Sequence, residues 1–115
     1  MEKKKLEIDI QKEILEYLTK KGYFCWRNNN VPIFDKNLNS GYGGYRAQSK
    51  WCPKGLPDVF FIDPEAYGQL VGLEVKRPKG GKRSPDQLLI QKRFHTNNAR
   101  FEFVKSVEEV KALGY

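Results

Sequence analysis

The sequence predicts an α/β domain with helices packed around one central mixed β-sheet. Three observations carry this. Residues 6–21 place apolar side chains at a helical period. Residues 59–62 and 70–76 are short apolar runs separated by turn residues, the pattern of a hairpin. A capped helix, an alternating strand and a short last helix then follow. At 115 residues, the chain suits a single domain, 1–115, with one core. No internal repeat is visible.

The first helix is expected from Leu6 to Lys21. Ile8, Ile10, Ile14, Leu15, Tyr17 and Leu18 set its period, and Gly22 stops it after Lys20 and Lys21. Steps of about 100° around the axis gather Ile10, Ile14 and Leu18 on one side. Glu7 and Gln11 fall in the middle of that side, whereas Lys12, Glu13 and Glu16 face solvent. An acid and an amide on a buried face need partners, because an unpaired buried charge is expensive. Glu7 lies in the first turn, where an acid also suits the helix dipole. Gln11 has no such reason.

Tyr23 to Arg27 reads as a short first or edge strand. From Asn28 to Lys54 regularity is lost among Asn, Gly, Pro and Ser residues. A loop this long in a small domain is functional or disordered. It carries Tyr42, Tyr45, Arg46, Lys50, Trp51 and Lys54. That mixture suits stacking on bases and pairing with phosphates, and it equally suits aromatics folded back on the body.

The central hairpin runs from Val59 to Ile62 and from Leu70 to Lys76, with Asp63-Pro64 and Gly68 as turn residues. Strand alternation points Glu74 and Lys76 one way and Leu73 and Val75 the other. The hairpin brings Asp58 beside Glu74, so two carboxylates and an ammonium converge on one patch of sheet. Pro78 ends the strand. The basic, glycine-rich turn that follows holds Arg77, Lys79, Lys82 and Arg83, which suit a phosphate backbone. Ser84 is an N-cap with Pro85 at the first helical position and Gln87 placed for a capping box. That helix runs to about Asn97, with Leu88, Leu89, Ile90 and Phe94 apolar. Phe101 to Lys105 alternates as a strand, and Ser106 caps a helix from Val107 to Leu113 ahead of Gly114.

The formal charge is +7 and the isoelectric point about 9.4. This favours a polyanionic partner such as nucleic acid, although basicity also serves plain solubility. No apolar run is long enough to span a bilayer. The N-terminal residues lack the apolar segment of a signal peptide, so a cytosolic protein is expected. Cys25, Cys52 and His95 are scattered and fall short of the four ligands of a structural zinc site. In a reducing compartment both cysteines read as buried small apolar residues.

Paired carboxylates at a strand junction suit a hard cation. Mg²⁺ takes oxygen donors and retains waters, so Asp58, Glu74 and the Val75 carbonyl suffice alongside a substrate phosphate. Such an ion activates water and shields a scissile phosphate. Lys76 would orient that water or neutralise developing charge, and Glu7 would approach from the first helix. Each feature has an ordinary reading too. Asp58 can be a turn acid, Glu74 and Lys76 an exposed pair of little energetic weight, and Gln87 only a cap. Their combination with the basic charge favours phosphodiester hydrolysis.

Pro57-Asp58 followed by Glu74-Val75-Lys76 resembles the active-site signature of the PD-(D/E)XK nuclease superfamily. More of the chain resembles the virus-type replication–repair nuclease (VRR-NUC) domain. The matching features are Glu7-x-x-x-Gln11, Gly55-x-Pro57-Asp58, Glu74-x-Lys76 and Ser84-Pro85-x-Gln87. The resemblance implies a restriction-endonuclease-like fold, roughly αβββαβα, and Mg²⁺- or Mn²⁺-dependent cleavage of DNA. It implies Asp58 and Glu74 as metal ligands, Lys76 as the catalytic lysine, Glu7 as an auxiliary acid and Gln87 as support from the second helix. Free-standing members occur in phages and bacteria and act on branched DNA. The expectation is therefore a structure-selective endodeoxyribonuclease of a phage or bacterial host cytosol. Its expected substrate is a branched duplex such as a Holliday junction, cut symmetrically by a homodimer. The alternatives are a restriction-type or flap nuclease, and a nucleic-acid-binding module without catalysis.

Overall fold

The structure is a computed structural model and describes residues 6–28, 34–45 and 51–115. Helix α1 spans Glu7–Lys20 and strand β1 Phe24–Arg27. Strands β2 (Phe34–Asp35) and β3 (Gly44–Tyr45) follow, then β4 (Val59–Asp63) and β5 (Gln69–Val75). Helix α2 (Pro85–Thr96), strand β6 (Arg100–Val104) and helix α3 (Val107–Ala112) complete the chain. The main sheet has four strands in the order β1-β4-β5-β6. β1 and β5 flank β4 antiparallel, while β6 lies parallel to β5. The sheet is thus mixed, with α2 as the crossover of its parallel pair.

One sheet face carries the main core. Ile10, Ile14 and Leu18 of α1 pack there with Val59, Phe61, Val71, Leu73, Val75, Val104 and, from α3, Val110. Burying three residues at four-residue spacing is what holds α1, since a helix this short is marginal alone. Its C-terminus closes as the glycine at position 22 allows: Gly22 has φ +91°, its N–H donates to the Thr19 carbonyl, and Tyr23 N–H donates to the Leu18 carbonyl.

The opposite face is thinner and aromatic. Phe94 of α2 stacks on Phe60 and meets Phe101 edge-on, with ring centroids 6.2 and 5.5 Å apart. Gly72 lies beneath: a Cβ there would collide with the Pro57 ring and come within 3.3 Å of Phe94. Only at this glycine can Pro57, itself fully buried, sit down on β5.

The structure departs from the sequence reading in four places. The irregular stretch contains a small β2–β3 hairpin, with Phe34 opposite Tyr45. In α2, Ile90 is buried while Leu88 and Leu89 are exposed. The helix is rolled so that Gln87, Gln91 and Phe94 join Ile90 toward the sheet, because Gln87 and Phe94 find partners there. Cys52 is exposed, and Cys25 is only half-buried at the edge of the core it packs against. Glu7 is exposed rather than buried, since α1 begins beyond the end of the sheet. Arg46 and Lys50 lie outside the described residues. Among the described residues no helix is long and apolar enough to cross a membrane.

Candidate active site

The register of the hairpin builds the site. Val59 pairs with Leu73, so the preceding residue, Asp58, falls opposite Glu74. Glu74 in turn pairs with Phe103. On the other side, Asn28 N–H donates to the Asp58 carbonyl at 2.7 Å, and its side-chain amide donates to the Pro57 carbonyl at 3.2 Å. Asn28, Asp58, Glu74 and Phe103 therefore form one row across the α2-side face. Two residues further on, Trp26, Phe60, Gly72 and Phe101 form an apolar row.

Each polar group in the row has defined partners. Asp58 Oδ2 accepts from Val75 N–H at 3.0 Å. Val75's N–H points toward Asp58, and a strand residue's N–H and C=O share a side, so its carbonyl faces the same edge. Gln87 ties the rest together. Its Nε2 donates to Glu74 Oε1 at 2.7 Å, and its Oε1 accepts from Lys76 Nζ at 2.8 Å and Ser84 N–H at 3.1 Å. Gln87 N–H donates to Ser84 Oγ at 3.1 Å, completing the capping box of α2. Lys76 Nζ also lies 3.7 Å from Glu74 Oε1. The cap of the helix and the bridge between acid and lysine are the same side chain.

Gly55 makes that docking possible. It has φ +91°, and a Cβ there would come 2.6 Å from the Asp86 carbonyl carbon and 2.8 Å from Gln87 N. The Gly55–Asp58 turn therefore rests its backbone directly on the first turn of α2. From the far side of the sheet, Glu7 reaches round the end of β5, where Arg77 N–H donates to its Oε1 at 3.4 Å. Of the α1 acids, Glu7 alone acts through its charge on both Asp58 and Glu74. Gln11 is half-buried one turn along the same face.

Electrostatically the cluster is unbalanced. Burial, and next the charge of Asp58, push the Glu74 carboxyl up to about 8. Burial also raises Asp58, against the opposing Val75 N–H bond. Near neutral pH Glu74 is therefore still largely protonated in the metal-free protein. Glu74 Oε2 is buried and, among the described residues, has no hydrogen-bond partner. An orphaned buried carboxylate oxygen beside a second carboxylate fits a hard divalent cation. No group of three His, Cys, Asp or Glu side chains among the described residues is placed to hold a metal. Two carboxylates, Asp58 and Glu74, and the Val75 carbonyl could hold such an ion, with water or phosphate oxygens completing its shell.

The described members of the predicted DNA-contacting set all reach solvent. Lys54, Arg77, Lys79, Lys82 and Arg83 are exposed, and Arg83 stacks on Phe103. Gly72 and Asn28 are site-building residues that sequence reasoning missed. A glycine inside a strand was the available signal for the first, since it marks a close approach. Asn28 gave no signal distinct from its asparagine-rich surroundings.

A solved structure titled "VRR_NUC domain" shares this fold with a TM-score of 0.61 and 25% sequence identity, covering 93% of this chain and 91% of that chain. The likeness supports a VRR-NUC domain. The mixed sheet with flanking helices is the restriction-endonuclease-like fold expected of it. No protein-family model and no curated protein matches the chain. The VRR-NUC match suggests a nuclease domain with DNA as its substrate.

Proposed function

We propose that this VRR-NUC domain is a Mg²⁺- or Mn²⁺-dependent endonuclease that hydrolyses DNA phosphodiesters. The carrying observation is the buried Glu74 Oε2 beside Asp58, which among the described residues has no hydrogen-bond partner. Asp58, Glu74 and the Val75 carbonyl would hold the ion, which when bound supplies positive charge at the scissile phosphate and a more acidic water. The chain's own groups do the rest. Lys76 has three donors, and Gln87 takes one of them, which fixes the ammonium toward the phosphate and its attacking water. Glu7, at the open end of the site, orients that water. Gln87 keeps acid and base apart and aimed.

Exposed Lys54, Arg77, Lys79, Lys82 and Arg83, with a net charge of +7, support backbone contacts to duplex DNA. Arg46 and Lys50 extend the same proposal by sequence alone. The preferred substrate is a branched duplex such as a four-way junction, met in the cytosol of a bacterium or phage host. One site per chain then calls for a homodimer to make two symmetric cuts.

The test is cleavage of labelled junctions, flaps and linear duplexes with Mg²⁺, Mn²⁺ or chelator. Junctions should be cut fastest, and Asp58→Asn, Glu74→Gln and Lys76→Ala should each lose about a hundredfold or more. Activity surviving all three substitutions, or persisting in chelator, would overturn the site. Equal cleavage of linear duplex would keep the nuclease and remove the junction preference.

A further inference from the structure

We propose that Arg83, held on the ring of Phe103, forms a phosphodiester-binding subsite beside the carboxylate–lysine cluster, with Phe103 as its positioning residue. This rests on the nuclease reading and deepens it by assigning a substrate contact. The Arg83 guanidinium carbon lies 4.5 Å above the Phe103 ring centroid. Phe103 is the register partner of Glu74, so the platform belongs to the same row as the acids. Arg83 also adjoins Ser84, whose N–H donates to the Gln87 oxygen that accepts from Lys76. The guanidinium is thus held by the Phe103 ring, and the neighbouring backbone by the cap of α2, next to the site.

Its chemistry fits a phosphate. Stacking uses only the face of the guanidinium, which leaves its in-plane N–H donors for a bidentate anion. Among the described residues no carboxylate pairs with it, and the side chain is exposed. A structural arginine would pair with an acid, as Arg100 does with Glu102 at 3.2 Å. A cation on an aromatic shelf beside a basic turn instead awaits an external anion. The nearest polyanion is the strand held for cleavage, so the ligand is a phosphodiester flanking the scissile one.

The experiment compares wild type with Arg83→Ala, Arg83→Lys, Phe103→Leu, Phe103→Tyr and the double variant Arg83→Ala/Phe103→Leu. A labelled branched duplex is titrated across salt concentrations in chelator, and cleavage is followed with Mg²⁺. Arg83→Ala should shallow the log–log salt slope by about 0.9 and weaken binding roughly tenfold near 0.1 M salt. Phe103→Leu should keep the slope, weaken binding about two- to fivefold, and raise KM while leaving kcat near wild type. Phe103→Tyr should restore it. The double variant should bind no worse than Arg83→Ala, because the ring acts through the arginine. An unchanged slope in Arg83→Ala would overturn the subsite. A Phe103→Leu defect that persists undiminished in the Arg83→Ala background would show that the ring serves packing alone. Both results are read from binding, so they stand apart from the nuclease reading, which fails only if wild type cleaves nothing.

Discussion

Replacing Glu74 with Gln should stabilise the metal-free protein at alkaline pH. The ordinary carboxyl value of 4.5 rises to about 8 at Glu74, first through burial and then through the Asp58 charge. The folded state thus binds a proton that the unfolded chain has released. The associated stability is complete below about pH 4.5 and is lost as pH rises through about 8. At about 1.4 kcal/mol per pH unit, full ionisation would cost roughly 5 kcal/mol, and water reaching the open end of the site reduces this to about 2–3 kcal/mol. Glutamine mimics the neutral acid. Its carbonyl can still accept from Gln87, and its amide, like the protonated carboxyl, brings no charge into the buried site. In chelator at pH 9, Glu74→Gln should therefore melt about 8–12 °C above wild type, at about 4 °C per kcal/mol. At pH 4.5 the two should melt together. Thermal and urea unfolding across that range read the difference. A variant less stable than wild type by the same amount at every pH would refute the reasoning.

Three further outcomes follow from the same geometry. Mg²⁺ or Mn²⁺ binding at pH 7 should displace close to one proton, because Glu74 must ionise to ligate, and apparent affinity should climb until about pH 8. Calorimetry in buffers of differing ionisation enthalpy measures this, and binding without proton release would contradict it. Gly72→Ala should destabilise by about 1–3 kcal/mol, since the new methyl group meets the buried Pro57 ring; an unchanged urea midpoint would disprove that packing. Gln87→Ala should lower stability by about 1–2 kcal/mol through the lost cap and reduce kcat about tenfold or more by freeing Lys76. A variant with lower stability but wild-type kcat would reduce Gln87 to a cap.

The parts of this fold set by short-range rules were readable in the sequence. The period of Ile10, Ile14 and Leu18, the turn between β4 and β5, and the Ser84–Gln87 capping box each follow from local geometry. Alternation alone placed Glu74 and Lys76 on one face. What escaped depends on contacts between distant segments. Four apolar residues in α2 left its buried side open, and the helix turns Gln87 inward because Glu74 and Lys76 satisfy it there. Gly72 looks like a weak point in a strand until Pro57 is seen resting on it. Glu7 shares the helical side of the core residues but begins beyond the sheet, so it is exposed and still bears on the acids. The β2–β3 hairpin was hidden because two-residue strands give no alternation to read.

In the proposed mechanism Asp58 and Glu74 share a divalent cation. Anomalous scattering from a crystal soaked in Mn²⁺ tests it directly. A single strong peak is expected about 2.1 Å from one oxygen each of Asp58, Glu74 and the Val75 carbonyl, with the formerly orphaned Glu74 Oε2 engaged. A fully occupied peak elsewhere, with none between Asp58 and Glu74, would contradict it.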